Sequence, residues 1–260
     1  VNLNYYTGWS EPTDTYEMMD GDQYRQFQAD YRGRTDIPDG NFEWPNEVLQ
    51  TRRINSYDAS ISGGSDKTQY YIGGTFLNQS NYVIGNELDK IAGRLNFKHT
   101  VSDRFRFGAN IGISNVNNDR ISSDNSTFAP LTSSYLQLPY VEAFNEDGTF
   151  RNTGFIANVL AIEELSVRDL ISRRTTANTY AMFDIVPGLT ARTDFGIDNI
   201  QTEQTTRDPN VVSPGGYGFR EINQDIKWLS TNTLNFDRTF GQSTVNAVAG
   251  ISYETSRRED

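Results

Sequence analysis

Apolar and polar residues alternate with a period of two along much of this chain. From Phe105 to Ser114 one side carries Phe105, Phe107, Ala109, Ile111 and Ile113, and the other carries Arg106, Gly108, Asn110, Gly112 and Ser114. Ile91, Gly93, Leu95 and Phe97 likewise alternate with Ala92, Arg94, Asn96 and Lys98. This period belongs to an extended strand with one apolar face. It recurs at Tyr70–Leu77, Ala177–Ile185, Leu189–Asp198 and Thr244–Tyr253, and more weakly at Val1–Tyr6, Asn55–Ser62 and Ile226–Phe236. Nine strands are predicted, over 1–8, 53–63, 69–78, 89–100, 104–116, 173–186, 189–203, 224–239 and 243–257.

The links between them differ in length. Tight ones sit at Gly63–Lys67, Val101–Asp103, Pro187–Gly188 and Gly241–Gln242, with the Gly, Asp and Pro that hairpin turns require. Longer ones span 9–52, 79–88, 117–172 and 204–223, and the two kinds alternate strictly. Outer-membrane barrels have this layout, with short periplasmic turns and long extracellular loops. The expected fold is therefore all-β, an antiparallel transmembrane barrel segment. Within the long links, Tyr16–Tyr31 and Ile156–Ile171 carry apolar residues at helical spacing, expected to pack each loop onto the rim.

Composition fits this picture. Mean hydropathy is −0.62, and no run approaches the roughly 20 apolar residues of a membrane helix. A barrel strand shows no such run, because every second residue faces a polar interior. The net charge of −11 excludes duplex nucleic acid as a partner, since phosphate binding needs a basic face. The chain has no cysteine, which removes disulfide, thiol and zinc-thiolate chemistry. No signal peptide opens at Val1 and no closing element follows Ser256–Asp260, so the chain reads as a piece of a longer one.

Several of these residues resemble a family. Ser60–Tyr71, reading SISGGSDKTQYY, is similar to the hairpin that follows the plug domain in SusC/RagA-type TonB-linked outer-membrane proteins. Gly93–Phe97, the Val101-Ser102-Asp103 turn and Phe107–Gly112 resemble the strands and turn that come next, and Asp14–Tyr24 resembles the segment before the hairpin. The resemblance implies a barrel of about 22 strands with a plugged lumen; this chain would supply about nine strands and no plug. It implies a SusD-like lipoprotein lid, energy from a TonB complex acting through parts outside this chain, and import of an oligomeric nutrient, glycan or peptide. It implies no enzyme activity and no cofactor. A soluble β-rich binding module and a TonB-dependent receptor for a metal chelate remain the alternatives.

Candidate chemistry is sparse. His99, the single histidine, lies within one turn of Ser102 and Asp103, too local for a catalytic triad, so no catalytic residue is expected. Asn145–Gly148 and Asp20-Gly21-Asp22 carry calcium-type oxygens without the spacing of a calcium loop; they, Asn117–Asp119 and Asp124-Asn125 read as turns or polar loop. Arg94, Arg106, Asn110 and Arg192 fall on polar strand faces and should face the lumen, with carboxylates such as Asp194 and Asp198 pairing the cations. Trp9, Trp44, Tyr135, Tyr140 and Phe144 lie in or near the long links. They could meet substrate or lid, or could simply fold the loops and anchor the rim.

Overall fold

The computed structural model describes residues 1–122 and 125–259. Its strands are β1 (Asn2–Ser10), β2 (Arg52–Gly64), β3 (Thr68–Ser80), β4 (Glu87–Ser102), β5 (Phe105–Asp119), β6 (Val167–Val186), β7 (Leu189–Asp208), β8 (Tyr217–Phe240) and β9 (Ser243–Glu259). They form one sheet in sequence order, and every pair is antiparallel. In such a meander successive links fall at opposite ends, so the four tight turns share one end and the long links the other. Gly188 (φ 86°) and Gly241 (φ 62°) supply the left-handed backbone at two of those turns.

Register aligns the strand faces across the whole sheet. One row runs Ile72, Leu95, Ile111, Ala177, Ile197, Trp228; the row beside it runs Gly73, Arg94, Gly112, Thr176, Asp198, Lys227. A single-residue slip at any pair would exchange the faces. The apolar face is exposed, with Ile113 at 57%, Phe195 at 47% and Ile251 at 72%. An exposed apolar surface of this breadth needs a non-aqueous neighbour.

That surface is a band. On β7 it covers Leu189 to Ile197; Asn199, Gln201 and Glu203 then continue the same side. Nine residues extend about 27 Å along a strand, close to the ~25 Å apolar band of a barrel. The strands outrun the band only at the long-link end. There β6, β7 and β8 exceed the predicted lengths by six, five and seven residues. The added stretch of β7 is polar on both faces, and those of β6 and β8 mix apolar with polar residues on each face, so alternation gives no signal, yet their backbones stay paired. The predicted link 204–223 shrinks accordingly to 209–216.

The links contain the only apolar core among the described residues. Trp44, Val48, Val83, Ile84, Ala143, Ala157, Val159 and Ile162 pack together, drawn from three different links. Four short helices frame this cap: α1 (Gly21–Arg32), α2 (Trp44–Val48), α3 (Pro130–Leu136) and α4 (Val159–Leu165). Helix α1 starts on a capping box between Asp20 and Gln23 and stops at Gly33, whose φ is 63°. The predicted helical segments are thus shortened. Residues 16–20 are not helical, and the stretch after Leu165 becomes β6. Helix α4 does bury its apolar side, through Val159, Ala161 and Ile162. The stripe over 16–31 does not: Tyr16, Met18, Met19 and Tyr31 stay exposed. Asp124 lies outside the described residues.

Candidate functional site: the polar wall and the cap cleft

Arg94, Arg106, Asn110 and Arg192 share the polar face, because register pairs Arg94 with Gly112 and Arg106 with Met182, and Met182 with Arg192. Arg106 meets Asp184 at 2.9 Å, and the Thr190 hydroxyl donates to the same carboxylate at 2.6 Å. Arg192 grips Asp194 with two hydrogen bonds of 2.6 and 2.7 Å, and its guanidinium lies 4.8 Å over the Tyr180 ring. That stack depends on Gly108. A Cβ there would fall 2.6 Å from the Tyr180 ring, so only glycine lets the ring lie against β5. Arg174 pairs with Asp198. The expected pairing thus occurs, with Asp184 as an acid not anticipated. Arg94 differs: its Nε donates to Asn96 at 3.3 Å, and it makes no ion pair among the described residues. Asn110 is exposed on the same wall.

Outside the wall, the cap joins the links 11–51 and 120–166. Phe42 N–H donates to Pro139 O at 2.7 Å, the Tyr16 and Tyr135 rings meet edge-on at 5.5 Å, and Tyr24 lies 5.9 Å from Tyr140. Between them opens a cleft of about 890 Å³. It is lined by Thr15–Asp20, Gln23, Tyr24, Phe42–Asn46 and Ser134–Pro139. Its described walls carry Tyr16, Met18, Met19, Tyr135, Leu136 and Leu138, with carboxylates at Glu17, Asp20 and Glu43 and no lysine or arginine.

The expected aromatic contacts separate on this map. Trp44 is 1% exposed, its indole N–H donating to Val141 O at 2.9 Å. It therefore holds the cap together, the loop-folding one of the two roles considered for it. Trp9, 63% exposed, lies on the apolar face of β1 beside Leu3 and Tyr5, opposite Arg53; its place is the outer surface of the sheet, away from the cleft. Phe144 stacks on Phe150 at 5.1 Å within its own loop. Tyr135 lines the cleft, and Tyr140 supports it from behind through Tyr24. His99 bonds Thr68 at 2.8 Å and stands edge-on to Phe107 on the apolar face. Asn145–Gly148 forms a turn with Gly148 at φ 81°, and Asp20 caps α1; Asn117–Asp119 completes β5 rather than a loop.

Known proteins share this arrangement. No family model matches the chain. TonB-dependent receptor P3 of Formosa agariphila is 25% identical over the whole chain, and TonB-dependent receptor P39 of the same organism is 26% identical over 77% of it. The RagAB peptide transporter superposes on 98% of the chain with a TM-score of 0.72 at 20% identity. The RagAB peptide importer in its open-open state gives 0.71 at 19%. The chain has the fold of a section of a TonB-dependent barrel, and its sequence is similar to these TonB-dependent receptors. It spans 27% and 20% of the two receptors and 35% of the RagAB chain. The resemblance carried by residues 60–71 and 93–112 is thereby borne out, as is the all-β barrel fold.

Within this barrel section, charge is sharply partitioned. Residues 9–52 hold ten carboxylates against four arginines, and residues 117–172 hold eight against three. These two segments account for the entire net charge of −11, and the rest of the chain is balanced. Sequence reading missed Tyr16, Glu17, Met18 and Met19 as cleft residues. Their spacing matched a helix, and only the Asp20-Gly21-Asp22-Gln23 capping signal marks where that helix starts.

Proposed function

We propose that this barrel section belongs to an outer-membrane importer that takes up an oligomeric nutrient, with energy from a TonB complex and a SusD-like lipoprotein as lid. The observation that carries the reading is the union of an apolar-banded wall with an ordered cap at its long-link end. A passive pore needs a wall and a lumen. Long loops folded around a shared core are uncommon unless they serve a function, and capture of a solute or lid above the wall is such a function. The likeness to the RagAB peptide transporter over nearly the whole chain supports the same reading.

On this reading the long links face outward, the four tight turns face the periplasm, and Arg94, Arg106, Asn110 and Arg192 line the lumen. The exposed surface of Tyr135, with Tyr140 behind it, serves the vestibule; Phe144 sits on the cap's outer surface, within reach of the lid. Single cysteines at Asp66 and at Phe144 in the full transporter test the orientation with a membrane-impermeant thiol reagent on intact cells. Labelling is expected at 144 and not at 66, and the reverse pattern refutes it. Deletion of TonB should abolish uptake of the oligomer. Undiminished uptake would reject energised import.

A further inference from the structure

We infer that β4 carries a cationic seam that holds, inside the barrel, a carboxylate-bearing segment of the transporter's own chain from outside residues 1–260. The inference rests on the import reading, which turns the polar face of the sheet toward the lumen.

The seam is set by register. Lys90, Arg94 and Lys98 recur at every fourth residue, so they share the polar face of β4. They stand about 13 Å apart and together run about 27 Å along the strand, close to the depth of the apolar band on the other face. No carboxylate lies beside them. Lys90 sits between Leu77 and Val116, Arg94 between Gly73 and Gly112, and Lys98 between Gln69 and Gly108. The whole polar face of β3, β4 and β5 is without an acidic residue, since Glu87, Asp89 and Asp119 fall on the opposite side. Among the described residues none of the three cations makes an ion pair; Arg94 bonds Asn96 instead.

The neighbouring strands handle charge differently. Arg106 meets Asp184, Arg174 meets Asp198, Arg192 meets Asp194 and Arg168 meets Asp208, while Lys227 stands opposite Asp198. Bare cations cost little on a wall open to water. Once something fills the lumen they lose hydration, and an uncompensated charge is then costly. A lumen-filling partner must therefore bring carboxylates to β4, and needs none at β6 and β7.

Two sources of negative charge could meet the seam: an anionic oligomer in transit, or the protein itself. The long links decide between them. Residues 9–52 and 117–172 hold eighteen carboxylates against seven arginines, so a polyanion is repelled at the entrance before it reaches β4. A fixed segment of the same chain meets no such barrier. Residues 1–260 cover 35% of the RagAB chain and 27% of receptor P3, and a transporter of that length has most of its chain available to supply the segment.

The test uses the full-length transporter in detergent, with photoreactive benzoylphenylalanine in place of Asn96, which lies between Arg94 and Lys98 on the same face. Irradiation should join residue 96 to a peptide of the same chain, outside residues 1–260, that carries more than one carboxylate; mass spectrometry identifies it. K90Q/R94Q/K98Q in that background should cut the adduct at least about fivefold, as expected for losing several weak ion pairs. Raising salt from about 0.1 M to about 1 M should lower the adduct in the parent and leave the variant unchanged. The salt measurement removes no cation, so it decides the matter where the variant assembles poorly. No intrachain adduct, an adduct to a segment without carboxylates, or a yield that both variant and salt leave unchanged would overturn the inference. Hexagalacturonate, a uronate oligomer, probes the other source. If it binds the parent, loses that binding in K90Q/R94Q/K98Q, and no intrachain adduct forms in its absence, the seam serves an anionic solute and the inference fails. Wild-type TonB-dependent uptake without the adduct defeats this inference alone, whereas the adduct without any oligomer uptake defeats the import reading and leaves the seam standing.

Discussion

The wall and the cap of this molecule are held together by opposite means. Every buried apolar residue among the described residues lies in a link, and the strands contribute none. The wall depends on its hydrogen-bonded ladders and on whatever surrounds its apolar face; β9 is exposed at every described position. The cap instead buries an apolar core of its own, with a tryptophan at its centre, while Tyr16, Met18, Met19 and Leu136 stay exposed around it. One chain therefore follows two solvent rules. The comparison explains why low mean hydropathy and a barrel-type sheet coexist here: apolar residues on the wall alternate with a polar face, and the cap buries only a few.

The sharpest way to break this comparison is to empty the core of the cap. Trp44→Ala removes a fully buried ring and its hydrogen bond to Val141, a loss of about 3–5 kcal/mol for a large aromatic. If cap and wall are independent, the full barrel still assembles, giving its heat-modifiable folded band, while limited proteolysis cuts within 11–51 and 120–166. Loss of the folded band would mean that the cap is needed to build the wall.

The converse experiment attacks the wall. Ile111 and Asn110 are neighbours on β5 and point to opposite faces. An arginine on the lipid side at mid-membrane costs about 2–4 kcal/mol, and much less in the lumen. Ile111→Arg should therefore impair assembly far more than Asn110→Arg, measured by the same folded band. Equal tolerance would reject the assignment of faces.

A third, smaller effect lies where the two regions meet. Arg168, at the start of β6, holds Asp208 at the end of β7 with two hydrogen bonds of 2.9 and 3.1 Å, and also bonds Ser122 in the cap-bearing link. Both charged side chains are largely shielded. Asp208→Ala should cost about 1.5–3 kcal/mol, the range for hydrogen bonds to charged groups. The cost should appear as faster amide exchange at the outer ends of β6 and β7, with the apolar band unaffected. Exchange that rises evenly along both strands would deny a separate outer zone.

These differences also explain what the sequence made legible. All nine strands were readable wherever one side met an apolar medium, as at Phe105–Ile113 and Leu189–Ile197, because period two is then enforced by solvent. Their outer extensions were not, since Gln201–Asp208 is polar on both faces and Tyr217–Asn223 mixes apolar and polar residues on each face, leaving the backbone ladder and ion pairs such as Arg220–Glu203 to hold them. In the cap, α2 and α3 start on Trp44-Pro45 and Ala129-Pro130 and last five and seven residues, too short for helical periodicity. The cleft was less legible still. Tyr135 could be suspected as a loop aromatic, but Met18 and Met19 became cleft residues only because tertiary contacts left their segment unpaired. Trp44 shows the reverse: from sequence it reads equally well as a binding face or a core residue, and burial decides.

The smallest expected effect is a pH dependence confined to the cap. Glu163 on α4 is an exposed residue overall, but its carboxylate end sits against Gly85. Its pKa is raised above 4.5, first by burial of that carboxylate and next by the negative charge of Glu87, with Asp119 adding to the shift and Arg52 and the Gly85 N–H opposing it. A carboxyl whose folded pKa is raised binds more protons folded than unfolded, so stability falls as pH climbs through the interval just above 4.5. Below that interval the penalty is absent, and above the raised value it is fully present. Solvent around the rest of the side chain screens it, which places this effect last. Glu163→Gln keeps an oxygen for the Gly85 N–H and removes the charge. It should slow proteolysis of the cap slightly at neutral pH and flatten the change seen in the parent as pH rises above 4.5. Cap proteolysis that speeds up on acidification in the parent, or a variant that retains the parent's full pH dependence, would locate the sensitivity elsewhere.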